Sequence, residues 1–177
     1  MDKQATAILE SLLFVANGPV AIEQLQKTLE TSREQVEESL RDLDAAYAGR
    51  GLRLQRKNGE VQLVTVPEAG PYVERFLGLQ LSGKLSSAAV EALAIVAYRQ
   101  PVTRAQVEAI RGVNSDGVLS TLVARGLVTE VGRMDTAGRP ILYGTTFEFL
   151  EYFGLKHVAQ MPRLGVAAEP DGRGHTY

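Results

Sequence analysis

The sequence predicts an α+β chain, mainly α, built as two tandem winged-helix domains with a flexible C-terminal tail. Two observations predict it. First, the chain repeats its own plan about eighty residues on: Glu10-Ser11-Leu12-Leu13-Phe14-Val15-Ala16 returns as Glu91-Ala92-Leu93-Ala94-Ile95-Val96-Ala97. Pro19-Val20 returns as Pro101-Val102, Leu25 as Val107, Val36 and Leu40 as Val118 and Leu122, and Gly51-Leu52 as Gly126-Leu127. A period this long is not that of a solenoid, so it reads as two similar small domains. Second, each copy runs from helical periodicity into two alternating segments around a turn, which is the element order of a winged helix. The expected boundaries are 1–78 and 87–155 for the two domains, 79–86 for the linker and 156–177 for the tail.

Taken in order, residues 5–16 place Ile8, Leu9, Leu12, Leu13, Val15 and Ala16 on one broad apolar stripe, with Phe14 on the opposite side. Asn17-Gly18-Pro19 stops that helix, because glycine suits a helix C-terminus and proline cannot continue the ladder. Ile22, Leu25 and Leu29 set a short second helix. Ser32 followed by Gln35 is a capping box that opens the third, whose inner face is Val36, Leu40, Leu43 and Tyr47. Alternation at Leu52, Leu54 and Arg56, the turn signal Asn58-Gly59, and alternation at Val61, Leu63 and Thr65 make a hairpin. Residues 72–77 then look helical. In the second copy, 88–98 is apolar on nearly every side and reads as a helix buried against more than one neighbour. Residues 103–110 form the next helix, and Asn114 can N-cap the third, which Gly126 ends. Strands at 127–131 and 141–143 flank a long wing, 132–140, and 146–153 closes with a short amphipathic helix. Beyond residue 155, prolines and glycines dominate and little can be buried.

At 177 residues with 45% hydrophobic and 23% charged residues, the chain has the composition of an ordinary globular protein. The formal net charge of −2 gives no general attraction to phosphate backbones. With no cysteine there are no disulfides and no thiolate metal sites. The start lacks a basic segment followed by a long apolar run, and Glu91 interrupts the most apolar stretch. The expectation is a soluble, cytoplasmic chain that does not enter a membrane. Gly78 to Lys84 spells most of a phosphate-binding loop, but Leu85 stands where Ser or Thr must hold Mg²⁺, and a helix rather than a buried strand precedes it. The two histidines, His157 and His175, lie in the expected tail, away from any nucleophile. No catalytic residue, cofactor site or metal ligand set is read, and the chain is expected not to be an enzyme.

A winged helix reads DNA with its third helix, which then needs basic or amide side chains outward. Residues 33–44 carry Arg33 and Arg41 against Glu34, Glu37, Glu38, Asp42 and Asp44, a net of three negative charges. Such a helix repels phosphates rather than releasing their counterions. The second copy's third helix is nearly uncharged, and Asp135 lies between Arg133 and Arg139 on its wing. Direct DNA binding is therefore expected to be weak. A tandem winged-helix transcriptional regulator stands as the alternative reading.

The second half carries a string of distinctive motifs. These are Ala94-Ile95-Val96-Ala97-Tyr98-Arg99-Gln100-Pro101-Val102-Thr103, Ile110-Arg111-Gly112-Val113-Asn114-Ser115-Asp116, Val131-Gly132-Arg133, Gly138-Arg139-Pro140-Ile141-Leu142-Tyr143-Gly144-Thr145-Thr146 and Phe149-Leu150-Glu151-Tyr152-Phe153-Gly154-Leu155. Together they resemble the segregation and condensation protein B family, over roughly residues 8–155. The resemblance implies a non-enzymatic protein of two winged-helix domains, dimeric through the first. It implies that two copies bind one kleisin subunit, ScpA, which bridges the heads of a structural maintenance of chromosomes (SMC) ATPase in a condensin-like complex. The complex organises and segregates chromosomes, so the chain would reach the nucleoid through it.

Within that frame, Tyr98, Arg99, Gln100 and Pro101 are read as a turn presenting side chains to the kleisin, joined by Arg111, Asn114, Arg139 and Tyr143. Tyr and Arg are the types most often energetic at interfaces. Each has a competing structural role: Asn114 as a cap, Arg139 fixing the wing, Pro101 starting a helix, Tyr143 packing in its strand. For the dimer the candidate is Phe14, which lies off the core stripe and needs cover. It either meets a second copy or packs under the hairpin or under helix 72–77.

Overall fold

In the computed structural model the described residues are 3–77 and 84–163. The first unit runs α1 (Lys3–Val15), β1 (Val20–Ala21), α2 (Ile22–Leu29), α3 (Arg33–Ala46), β2 (Leu52–Lys57) and β3 (Glu60–Thr65). A one-turn helix at Pro67–Ala69 then leads to α4 (Gly70–Leu77). The second repeats the order with α5 (Ser87–Arg99), β4 (Val102–Thr103), α6 (Arg104–Arg111), α7 (Asp116–Ala124), β5 (Val128–Arg133), β6 (Ile141–Thr145) and α8 (Phe147–Tyr152). These are two tandem winged helices.

Local chemistry explains the elements. Ser32 and Gln35 form the expected capping box, and Thr103 with Gln106 forms a second one at the start of α6. Asn58 and Gly59 both adopt positive φ (50° and 81°), the backbone that a two-residue hairpin turn requires. Each sheet has a third strand beyond the expected hairpin. Val20–Ala21 pairs with β3 and Val102–Thr103 with β6, giving orders β1-β3-β2 and β4-β6-β5. Two residues are too few to show an alternating pattern, which is why the sequence hides them.

Each unit packs its own core. The first gathers Leu9, Leu13, Ile22, Leu25, Val36, Leu40, Leu43, Tyr47, Leu54 and Val61. The second gathers residues of α5, α6, α7 and α8, including Leu93, Val96, Val107, Leu119, Leu122 and Leu150. The stripe expected on α1 is narrower than its sequence suggested. Leu9 and Leu13 are buried, whereas Ile8 and Val15 are exposed alongside Phe14. Leu9 and Leu13, four residues apart, fill the core side of α1 as Ala89, Leu93 and Ala97 do on α5, while Phe14 faces out as Ala94 does. Likewise α5 is not buried all round, since Val90 and Ala94 face out.

Part of the segment expected as tail is held. Lys156 Nζ bonds both carboxylate oxygens of Asp44 (2.7 and 3.0 Å), Tyr98 Oη donates to the Pro162 carbonyl (2.7 Å), and Met161 packs against the second core. Apolar Val158 and Met161, spaced to reach that core, supply what the composition of the tail did not advertise. Residues 164–177, 79–83 of the expected linker, and the phosphate-loop-like stretch apart from Lys84 lie outside the described residues, as does His175.

Candidate interaction faces

The outer face of α1 is the largest aromatic exposure in the first winged helix proper. Phe14 is 78% exposed and Val15 71%, with Ile8 beside them and the smaller Ala7 and Ser11 also open to solvent. Phe14 therefore packs neither under the hairpin nor under α4. α4 is bare too: Tyr72, Phe76 and Leu77 are exposed, and none of its residues is buried. Its counterpart in order, α8, buries Phe147, Phe149 and Leu150 in its own core. The connection explains the contrast, because α8 follows β6 through the single residue Thr146, whereas Val66 to Ala69 intervene before α4.

The eight residues expected to meet a kleisin fall into separate places. Tyr98 and Arg99 are the last turn of α5 rather than a turn, and Gln100 is its C-cap. The Gln100 side chain is engaged internally, with Oε1 accepting from Thr145 N–H (2.8 Å) and Thr145 Oγ1 (3.0 Å). Pro101 follows in a cis peptide and starts no helix; β4 comes next, and Thr103 caps α6. Tyr143 lies opposite Val102 and leans on the core, so Gln100, Pro101 and Tyr143 gather around the β4–β6 pairing.

Arg111 is a buried strut. Its side chain is 6% exposed, Nε binds Glu91 on α5 (3.0 Å), and Nη1 donates to Ser115 Oγ (2.9 Å) at the start of α7. Asn114 stands one residue before the N-cap, which is Ser115, and its Oδ1 accepts from Asp116 N–H (3.1 Å). Arg139 is exposed on the wing at φ +39°, and Arg133 rather than Arg139 ties the wing, donating from Nη1 to the Arg139 carbonyl (3.2 Å). Arg99, Pro101, Asn114 and Arg139 are thus the exposed members of the set.

Beside Tyr98 runs a feature that the sequence did not disclose. An apolar groove of about 320 Å³ lies between Val90 and Ala94 of α5, Phe149 and Phe153, and the returning Met161. A second hidden feature is polar. On the face of the first hairpin turned away from its core, Arg53, Gln55 and Gln62 are buried. Arg53 Nη1 donates to Gly154 O (2.8 Å) and Gln55 Nε2 to Leu155 O (2.7 Å). Gln62 Nε2 donates to Gln55 Oε1 and to Glu151 Oε1, both at 3.0 Å. Burial lowers the Arg53 pKa and raises that of Glu151 above the usual carboxylate range. Polar letters at alternate strand positions read as a solvated face, and a groove between helices has no linear pattern, so neither feature shows in the residue order.

Several of the cations near the third helices are already engaged. Arg33 pairs with Glu23 (2.8 Å), Arg56 with Glu37, and Lys156 with Asp44. On the second unit Arg104 pairs with Asp116 (2.6 Å) at the start of α7. These pairings leave both third helices poor platforms for phosphate. Among the described residues no cluster of His, Asp and Glu is placed to hold a metal ion, and no helix is long and apolar enough to cross a membrane.

Comparison with known proteins gives a consistent answer. The family model described as segregation and condensation complex subunit ScpB matches residues 7–164. The segregation and condensation protein B of Moorella thermoacetica is 51% identical, the match covering 95% of this chain and 90% of that protein. Among solved structures, ScpB from Mycobacterium tuberculosis is 40% identical, with 88% of this chain and 98% of that chain covered at a TM-score of 0.42. A dimer of an ScpB N-terminal domain complexed with ScpA peptide is 30% identical, covering 42% of this chain and 95% of that chain at a TM-score of 0.40.

Proposed function

The chain belongs to the family of the segregation and condensation complex subunit ScpB, and from that premise we propose that it is a non-enzymatic, dimeric binding subunit of a bacterial condensin-like SMC–kleisin complex. It binds the kleisin ScpA, reaches the SMC ATPase through it, and acts in chromosome condensation and segregation, working in the cytoplasm at the nucleoid. The observation that carries this reading is the family match, which spans both winged helices. The acidic α3 and the internally paired cations agree with a scaffold used for protein contacts, and count against a sequence-reading regulator.

The first unit, 1–78, provides the self-association face, centred on Phe14 with Ile8 and Val15 around it. The second, 87–155, provides the kleisin face. There Arg99, Pro101, Asn114 and Arg139 make contact directly, with Tyr98 beside the apolar groove. Gln100, Arg111 and Tyr143 hold those side chains in place from within.

The test is co-purification with a kleisin followed by light scattering. Two copies per kleisin are expected, and a monomer that ignores the kleisin overturns the proposal. Phe14→Arg should shift the free protein toward monomer without loss of helical content. An unchanged mass by sedimentation would move the dimer face away from α1 while leaving kleisin binding to be judged separately. Salt-steep, sequence-selective binding to DNA by the isolated chain would favour the regulator instead.

A further inference from the structure

We propose that Arg53, Gln55 and Gln62 of the first wing, together with residues 151–156 behind the second, form a reversible latch that sets the arrangement of the two winged helices. Among the described residues the two cores share no side chain, so no common hydrophobic cluster fixes their relation. What crosses is polar: Arg53 and Gln55 hold the carbonyls of Gly154 and Leu155, and Gln62 holds Glu151. Lys156 adds a backbone bond, its carbonyl accepting from Arg56 N–H (2.8 Å) on the free edge of β2, and a side-chain pair with Asp44. One close apolar approach accompanies them, since a Cβ on Gly154 would meet Pro67 Cγ at 3.0 Å.

Such a contact closes with a modest net gain, enough to favour the closed arrangement and small enough to be reversed. Each hydrogen bond replaces one to water, so the net stabilisation is small, while every donor left dry counts against closure. Arg53 Nε is buried with no hydrogen-bond partner. Glu151 and Arg53 both lose solvation on closing, as the directions of their pKa shifts record. A joint of this kind is expected to move unless something holds it. Opening would uncover the edge of β2 and return Arg53, Gln55 and Gln62 to solvent, changing what the first wing presents. The latch does not depend on what the chain binds.

The absence of cysteine makes the test direct. Cysteines placed at the exposed positions Arg41 and Ser120 carry spin labels, and pulsed resonance measures the distance between units in the full chain. The native chain should give one narrow distance population. Arg53→Met with Gln55→Leu should lose it to a broad distribution, and so should Glu151→Lys, a helix-surface change that sets a cation against Arg53. The second variant decides the matter if the first fails to fold, as circular dichroism would show. A narrow population that survives both folded variants, or a broad one already present in the native chain, overturns the latch. Loosening by only one of two folded variants does the same, because the latch acts as a unit.

Discussion

Tyr47 is buried at the end of α3, and its hydroxyl donates to the Glu10 carboxylate across the first core. Burial, then the Glu10 hydrogen bond and charge, push the phenol up to about 12 from an ordinary 10.0. The folded chain therefore keeps this proton where the unfolded chain releases it. The contribution is fully present below pH 10 and is lost as pH rises toward 12. Tyr47→Phe should cost about 1 kcal/mol near neutrality. It should also flatten the fall in stability across that alkaline window, measured by urea denaturation against the native chain; equal slopes would show that the pair does not couple to folding. Tyr47 was legible from the sequence as a core residue, because its spacing from Val36, Leu40 and Leu43 places it. Its hydroxyl bond was not legible, since Glu10 comes from another helix. Arg111 shows the same limit. A polar letter near a helix end reads as surface, yet the fold closes Glu91 and Ser115 around it. Identity announces chemistry; only packing decides whether a side chain faces a partner or a neighbour.

At the scale of elements, the long helices were readable from their apolar periodicity, α3 also from its capping box, and the first hairpin from its Asn-Gly turn. The third strand of each sheet and the bare face of α4 were not, because their cause is tertiary. The β5–β6 hairpin offers a test of how tightly one element depends on its neighbours. At Gly144 an added Cβ would lie 2.9 Å from Val131 Cγ1 and 3.1 Å from Gln100 Oε1, the oxygen that ties α5 to Thr145. Gly144→Ala should destabilise the second unit by about 1–3 kcal/mol through this overpacking. Val131→Ala in the same chain should recover part of the loss, because it clears one of the two collisions and leaves the other. Thermal melting of both variants settles it: a neutral Gly144→Ala would mean that Gln100 yields without consequence, and the clasp at the end of α5 would then be dispensable.

For the whole molecule, the duplication yields two cores bridged by polar contacts, and that division predicts how the chain comes apart. Leu40 is 1% exposed in the first core and touches nothing of the second cluster. Leu40→Ala should remove about 2–5 kcal/mol from the first unit through lost burial and the cavity left behind. Cores that share no side chain should transmit little of this. Amide exchange in α5, α6 and β6 should therefore stay within about 0.5 kcal/mol of the native chain, the range expected for independent sites. Exchange in α1, α3 and β3 should accelerate by the full amount. A common acceleration in both units would show one cooperative structure, and the hydrogen bonds from Arg53, Gln55 and Gln62 would then couple the units far more strongly than their net energies allow. Separate responses would mean that each winged helix stands alone, and that the polar contacts between them, with the close approach of Gly154 to Pro67, are left to set their arrangement.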